Sequence, residues 1–141
     1  MGGTVDWIDP MIGEFQRSGG NHPRFGRDLV LLHGTGARSG EPRSHLTRGI
    51  AFRAGWVVAA TFGGNPRNPA WVNNLRTHPD IDVEVPLPGA GIAIHRVRAV
   101  ELDGPEREAA RQRFRTVSPV FAQFEAGVDR LIPIFHLVVR G

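Results

Sequence analysis

Short apolar runs that do not alternate regularly with helical segments set the tightest limit on what this chain can fold into. Leu29-Val30-Leu31-Leu32-His33 is continuous and bounded by polar and glycine positions, the pattern of a strand buried on both faces. Residues 44–52 and then Trp56-Val57-Val58-Ala59-Ala60-Thr61 read as two further strands joined by a turn at Ala54-Gly55. Asp82-Val83-Glu84-Val85 alternates as a half-buried strand does. The loop Pro86-Leu87-Pro88-Gly89-Ala90-Gly91 hands over to a long strand at residues 92–102, and Ile134-Phe135-His136-Leu137-Val138-Val139 supplies the last. Helices are predicted from Pro69 to just before Pro79, over residues 105–115 with Asp103 and Glu106 at the start, and from Ser118-Pro119 onward with Phe121 and Phe124 inward. About six strands without a strand-helix rhythm exclude a doubly wound parallel sheet. A mainly β fold with peripheral helices, built as a closed or split antiparallel barrel, fits this order.

Trp7, Ile8, Met11, Ile12 and Phe15 recur at helical spacing, with Asp9 as cap and Pro10 as first-turn residue. This predicts a short amphipathic helix whose apolar face docks on the domain. Peripheral contact with a membrane surface, or with a second subunit, is the alternative use of the same face. Ser18-Gly19-Gly20-Asn21-His22-Pro23 is a turn-rich link. The chain divides accordingly into residues 1–27, helix and linker, and residues 28–141, the barrel. With 141 residues and 40% hydrophobic content there is material for one core and not for two.

Lysine, tyrosine and cysteine are all absent. The isoelectric point is therefore high for want of buffering groups, and the formal charge of +3 is the better guide to partners. That excess is small and spread along the chain, which argues against a nucleic-acid partner. Without cysteine there is no disulfide, thiolate nucleophile or cysteine-ligated metal, and without lysine no Schiff-base chemistry. Six histidines form neither a His-Glu-x-x-His nor a His-x-His pattern, so no metal site is predicted. His33 and His136 fall in strands and read as satisfied structural residues. No stretch approaches the roughly 20 apolar residues of a membrane span, and the start lacks the order of a secretory signal. A cytoplasmic location is the expectation, with membrane association through the first helix as its variant.

Two loops carry the functional signal. In Gly63-Gly64-Asn65-Pro66-Arg67-Asn68-Pro69-Ala70-Trp71, two glycines let backbone approach a ligand, Arg67 adds charge, and Asn68 and Pro69 are placed to cap and open a helix. Gly36-Ala37-Arg38-Ser39-Gly40-Glu41-Pro42-Arg43, some twenty residues earlier, sets two arginines around a Ser-Gly turn. Together they predict a site for a phosphorylated, polyanionic small molecule. On the helix after the second loop, Trp71 and Leu75 share a buried face, with Trp71 a core anchor first and a ligand contact second. Asn74 points elsewhere, to a ligand or to solvent. Phe114, Phe121 and Phe124 pack the helices against the barrel or cover a hydrophobic substrate.

Leu31-Leu32, Gly36, Arg38-Ser39-Gly40, Pro42-Arg43, the whole segment from Gly63 to Trp71, Asn74-Leu75-Arg76 and Ile132-Pro133-Ile134-Phe135 resemble the deazaflavin-dependent nitroreductase family. These are split β-barrel proteins of the FMN-binding split-barrel kind that use coenzyme F420, an 8-hydroxy-5-deazaflavin. The resemblance implies that Arg38, Ser39, Gly40 and Arg43 face the cofactor's phosphate and oligoglutamate tail. It sets Thr61, Phe62, Gly63 and Gly64 along the ring, with Arg67, Trp71 and Asn74 as further cofactor-binding positions. The activity implied is hydride transfer from the reduced deazaflavin to a planar apolar acceptor: a quinone, an enone-type lactone or a nitro compound. The alternatives are a non-catalytic deazaflavin carrier and an FMN- or haem-binding split barrel. Phe121 and Phe124 stand, with Ser118, where some members place substrate-side tyrosines. Ala37 replaces a frequent basic residue, and His45-Leu46-Thr47 replaces Thr-Pro-Leu. A proton donor built on tyrosine is absent, which leaves Thr61, His45 and the backbone N–H groups of Gly63-Gly64 as candidates.

Overall fold

The computed structural model describes residues 10–23 and 25–140. Among them are six strands: β1 (Leu29–Thr35), β2 (Pro42–Ala51), β3 (Gly55–Ala59), β4 (Asp80–Pro86), β5 (Ile92–Glu101) and β6 (Ile134–Val139). They close into an antiparallel barrel in the order β1-β2-β3-β6-β5-β4, β4 returning to pair with β1. Four α-helices lie around it: α1 (Pro10–Arg17), α2 (Ala70–Thr77), α3 (Gly104–Val117) and α4 (Pro119–Gly127).

Strand periodicity explains why the apolar runs are continuous. In β1, Val30 and Leu32 turn into the barrel with Val58, Val83, Val97 and Leu137, while Leu29 and Leu31 turn outward beneath Ile12 and Phe15 of α1. In β3, Val58 is inside, and Val57 and Ala59 lie under Phe114 and Phe121 of α3 and α4. A strand covered on both faces needs no polar positions. β4 has one covered face, and it alternates from Ile81 through Val83 to Val85. Trp71 and Leu75 of α2 join the interior cluster, so that helix seals one end of the barrel.

Three local expectations are corrected. Helix α2 begins at Ala70, with Pro69 as its extended N-cap residue (φ −66°, ψ 156°) and no side-chain cap. Asn68 does not cap it, because its Oδ1 accepts a hydrogen bond from Arg130 Nη1 at 2.8 Å. β3 stops at Ala59, short of Thr61: the Ala60 N–H donates to the Pro133 carbonyl at 2.9 Å, and the Thr61 N–H turns back to Ala59. Trp7, Ile8 and the proposed cap Asp9 lie outside the described residues. The rest of that helix docks on the barrel through Ile12 and Phe15, both essentially buried. No helix among the described residues is long and apolar enough to cross a membrane.

Candidate functional site

The β1-β2 connection is an arginine-bearing turn tied at its base. Gly36 N–H donates to the Glu41 carbonyl at 2.8 Å and Gly40 N–H to the Gly36 carbonyl at 3.0 Å. Gly40 sits at φ 71°, a left-handed conformation that a Cβ disfavours. Ser39 Oγ accepts from the Glu41 N–H at 3.2 Å and from Arg43 Nη2 at 3.4 Å, so the hydroxyl shapes the turn and orients the second arginine. Arg43 also donates to the Pro42 carbonyl and meets Glu41 only at 3.6 Å. Exposed pairs of that kind contribute about 0–1 kcal/mol, so an incoming anion readily takes the carboxylate's place. Arg38 is exposed, and among the described residues no carboxylate pairs with it or with Arg67.

Asn74 is buried rather than facing solvent, and its Oδ1 accepts the Ala37 N–H at 2.9 Å. A neutral amide from α2 thereby fixes the height of the turn. Three residues earlier on the same helix, Trp71 packs edge-on against Phe135 with ring centres 6.0 Å apart and also faces a cavity. One side chain is thus both a core anchor and part of the cavity wall.

The second loop is a single 3₁₀ turn, Phe62–Gly64, closed by Gly64 N–H donating to Thr61 O at 2.9 Å and Asn65 N–H to Phe62 O at 3.0 Å. The Gly64 amide is thus committed to the turn, which corrects its place among the backbone donors. Phe62 adopts φ 48°, a strained conformation for a bulky residue, and leaves 51% of its surface exposed. Gly64 has φ 83°, and a Cβ there would stand 3.3 Å from the Phe124 ring. Arg67 remains exposed, its N–H held by Asn65 Oδ1 at 2.9 Å.

Arg130 fastens this loop, and nothing in the sequence marked it. Its Nη2 donates to Thr61 O at 3.0 Å, its Nε to Asn65 O at 3.1 Å and its Nη1 to Asn68 Oδ1 at 2.8 Å. Burial lowers its pKa from the ordinary guanidinium value, and the group stays charged. The five-donor fork of arginine suits this task, since one side chain satisfies acceptors spread over eight residues.

Between the loop and helices α3 and α4 opens a cavity of about 410 Å³, within the usual range of small-molecule sites. Thr61, Phe62, Trp71, Ser118, Phe121 and Phe124 contribute to its wall, and Met11 of α1 and Leu46 and Arg48 of β2 close the far side. Phe121 is buried, and Phe114 and Phe121 stack at 5.3 Å, so these rings pack the helices against the barrel while also lining the cavity. His45 is not part of this wall. It lies opposite Leu32, an interior residue, on a strand whose neighbours Leu46, Thr47 and Arg48 do reach the cavity. His33 is satisfied by Ser44 Oγ at 3.0 Å and Glu84 Oε2 at 2.6 Å. His136 differs: its Nε2 is buried without a hydrogen-bond partner, and burial pushes its pKa below the ordinary imidazole value.

The sequence profile of the F420H(2)-dependent quinone reductase family matches residues 12–138. The chain belongs to this family. The match begins within α1, upstream of the segment that carried the resemblance. An F420H(2)-dependent quinone reductase of Mycobacterium tuberculosis is 36% identical over 56 residues, 40% of this chain and 38% of that relative's length. A solved F420-H2 dependent reductase, FDR-A, superposes with a TM-score of 0.68 at 30% identity over 79% of this chain and 94% of its own. The haem storage protein HutZ of Vibrio cholerae covers 95% of this chain and 91% of its own at 12% identity and a TM-score of 0.60, a likeness of fold alone. In this chain the arginine turn and the Phe62–Gly64 loop differ in what supports them, Asn74 below one and Arg130 behind the other.

Proposed function

We propose that this protein is a coenzyme F420-dependent oxidoreductase that passes hydride from the reduced deazaflavin to a planar, apolar acceptor of the quinone, enone or nitro type. The observation that carries the reading is the double duty of α2. Trp71 in the cavity wall and Asn74 beneath the arginine turn lie three residues apart on one helix, roughly 4.5 Å of rise. An arginine-bearing turn and a largely apolar cavity are thereby fixed relative to each other, an arrangement that suits a ligand with a charged tail and a fused ring.

In this reading Arg38 and Arg43 hold the phosphate and carboxylates of the tail through charge-assisted hydrogen bonds. The Thr61–Gly64 segment, with Trp71, lines the ring, and Phe121 and Phe124 bound the space for the acceptor. The bound reduced cofactor supplies the hydride. What the chain adds is position and exclusion of water, plus a donor for the oxygen on which negative charge develops; Thr61 is the leading group for that, with His45 secondary. A haem reading fits less well, because among the described residues of the cavity wall there is no histidine, cysteine or tyrosine and the Met11 thioether is the one group of a haem-ligating type. Membrane contact through α1 forms no part of the proposal, since Ile12 and Phe15 are covered by the barrel. The test is to mix the protein with reduced F420 and menadione and follow the cofactor's absorbance. Oxidation that depends on the protein supports the reading, and binding without turnover across quinones and enones assigns a carrier.

A further inference from the structure

Among the described residues of the cavity wall, Arg48 is the only one that carries a charge. Everything else there is apolar or bears a neutral hydroxyl. Its guanidinium stands 5.5 Å from the centre of the Phe25 ring and 3.8 Å from Asp28 Oδ2, too far for a hydrogen bond, and it donates none to any described residue. That ion pair is open to solvent on both sides and contributes little, so an anion entering the cavity can displace the carboxylate and take hydrogen bonds that Asp28 does not receive. Arg48 precedes Gly49, which pairs with Val58, and Ala59 follows Val58 into the same wall, so the charge sits beside the strand that leads to Thr61.

We infer that Arg48 selects acceptors bearing one acidic group, a carboxylate or an equivalently anionic oxygen, at the end of a planar apolar body. The inference rests on the cavity being the acceptor site of the proposed reductase, and it narrows the acceptor class from neutral quinones and enones to their anionic relatives. It also assigns the charge to substrate rather than to cofactor: the tail has Arg38 and Arg43 outside the cavity, and the ring has the Thr61–Gly64 loop.

Two unreactive probes of the same shape test it, 2-naphthoate and 2-naphthamide, titrated by calorimetry into the protein alone and into the protein saturated with oxidised F420. The naphthoate is expected to bind about ten-fold or more tightly than the amide. That preference should vanish in Arg48→Gln, persist in part in Arg48→Lys, and survive intact in Arg38→Ala/Arg43→Ala. Thermal melting checks that each variant is folded; should Arg48→Gln fail to fold, the wild-type comparison and Arg48→Lys carry the test. Equal affinity for the two probes overturns the inference, as does a preference that outlasts Arg48→Gln or disappears with the turn arginines. A loss of F420 affinity in Arg48→Gln larger than the loss of naphthoate affinity overturns it too, by assigning the charge to the cofactor. Titration with F420 alone tests the reductase reading separately: no cofactor binding with an intact Arg48-dependent preference removes the cofactor and leaves the anion site standing.

Discussion

The arginine turn and the Phe62–Gly64 loop are both glycine-containing, both exposed and both adjacent to α2, yet they are held in opposite ways. The turn is closed by its own backbone and by Ser39, with one neutral bond donated by the Ala37 N–H to Asn74, and its charges face solvent. The loop is held from behind by the charged fork of Arg130, and its outward surface is aromatic and strained at Phe62. In the proposed function the difference separates two tasks. A charged, locally built turn supplies attraction and tolerates change in what it holds, whereas a loop braced from a distant segment supplies a shape that has to stay fixed.

Removing the turn's charge should give the largest effect and should fall on binding alone. Arg38→Ala/Arg43→Ala is expected to weaken F420 by about a hundred-fold, from roughly ten-fold for each charge-assisted contact, and to flatten the salt dependence of binding. Calorimetry over a salt series measures both. Turnover at saturating cofactor should stay within a few-fold of wild type, and a collapse of kcat would erase the distinction between the regions.

Loss of the brace should act on both binding and chemistry. Arg130→Ala leaves two carbonyls and an amide without their donor and is expected to cost about 2 kcal/mol of stability. It should also lower kcat/KM by at least about ten-fold, since the loop then loses its fixed position. Arg130→Lys should restore only part, because an ammonium does not reproduce the fork. Denaturant unfolding and steady-state kinetics on the two variants report these outcomes, and an Arg130→Ala protein with normal kcat would show that the loop needs no brace.

These two supports also mark the boundary of what the sequence disclosed. The strands were legible because each apolar run has a physical cause in its own burial, as in Leu29-Val30-Leu31-Leu32, which is covered on both faces. The Arg38-Ser39-Gly40 turn was legible because a turn's chemistry is local. Arg130 was not, since its three acceptors lie 62 to 69 residues away and two are backbone carbonyls, which leave no trace in side-chain pattern. The same bond explains the missed cap: Asn68 has a capping residue's chemistry, but Arg130 claims its oxygen. Arg48 escaped attention because strand alternation alone does not tell which outward face is roofed by helices.

Within the loop, Thr61→Val is expected to lower turnover by more than about ten-fold and His45→Ala by less, with F420 affinity nearly unchanged in both. His45 lies opposite an interior residue and off the cavity wall, which agrees with its secondary rank. A hundred-fold loss in folded His45→Ala would reverse the order.

The smallest effect lies away from both regions and serves as a control. His136 has its pKa lowered by burial, so as pH falls below the ordinary value near 6.5 the unfolded chain takes up a proton that the folded chain resists. Stability is therefore complete above that value and declines as pH drops from about 6.5 toward the lower folded pKa. Melting curves between pH 7.5 and 5, reading roughly this window, should show a decline for wild type that is shallower in His136→Gln, with F420 affinity unaltered at neutral pH.

The central claim, that a charged turn and an apolar cavity are joined by α2 into one cofactor site, is tested most directly by titrating the wild-type protein with oxidised F420 and following fluorescence at low salt. Saturable binding is predicted at tens of micromolar or tighter, which corresponds to about 6 kcal/mol or more of binding free energy. No saturable binding at that concentration by a folded protein would contradict it.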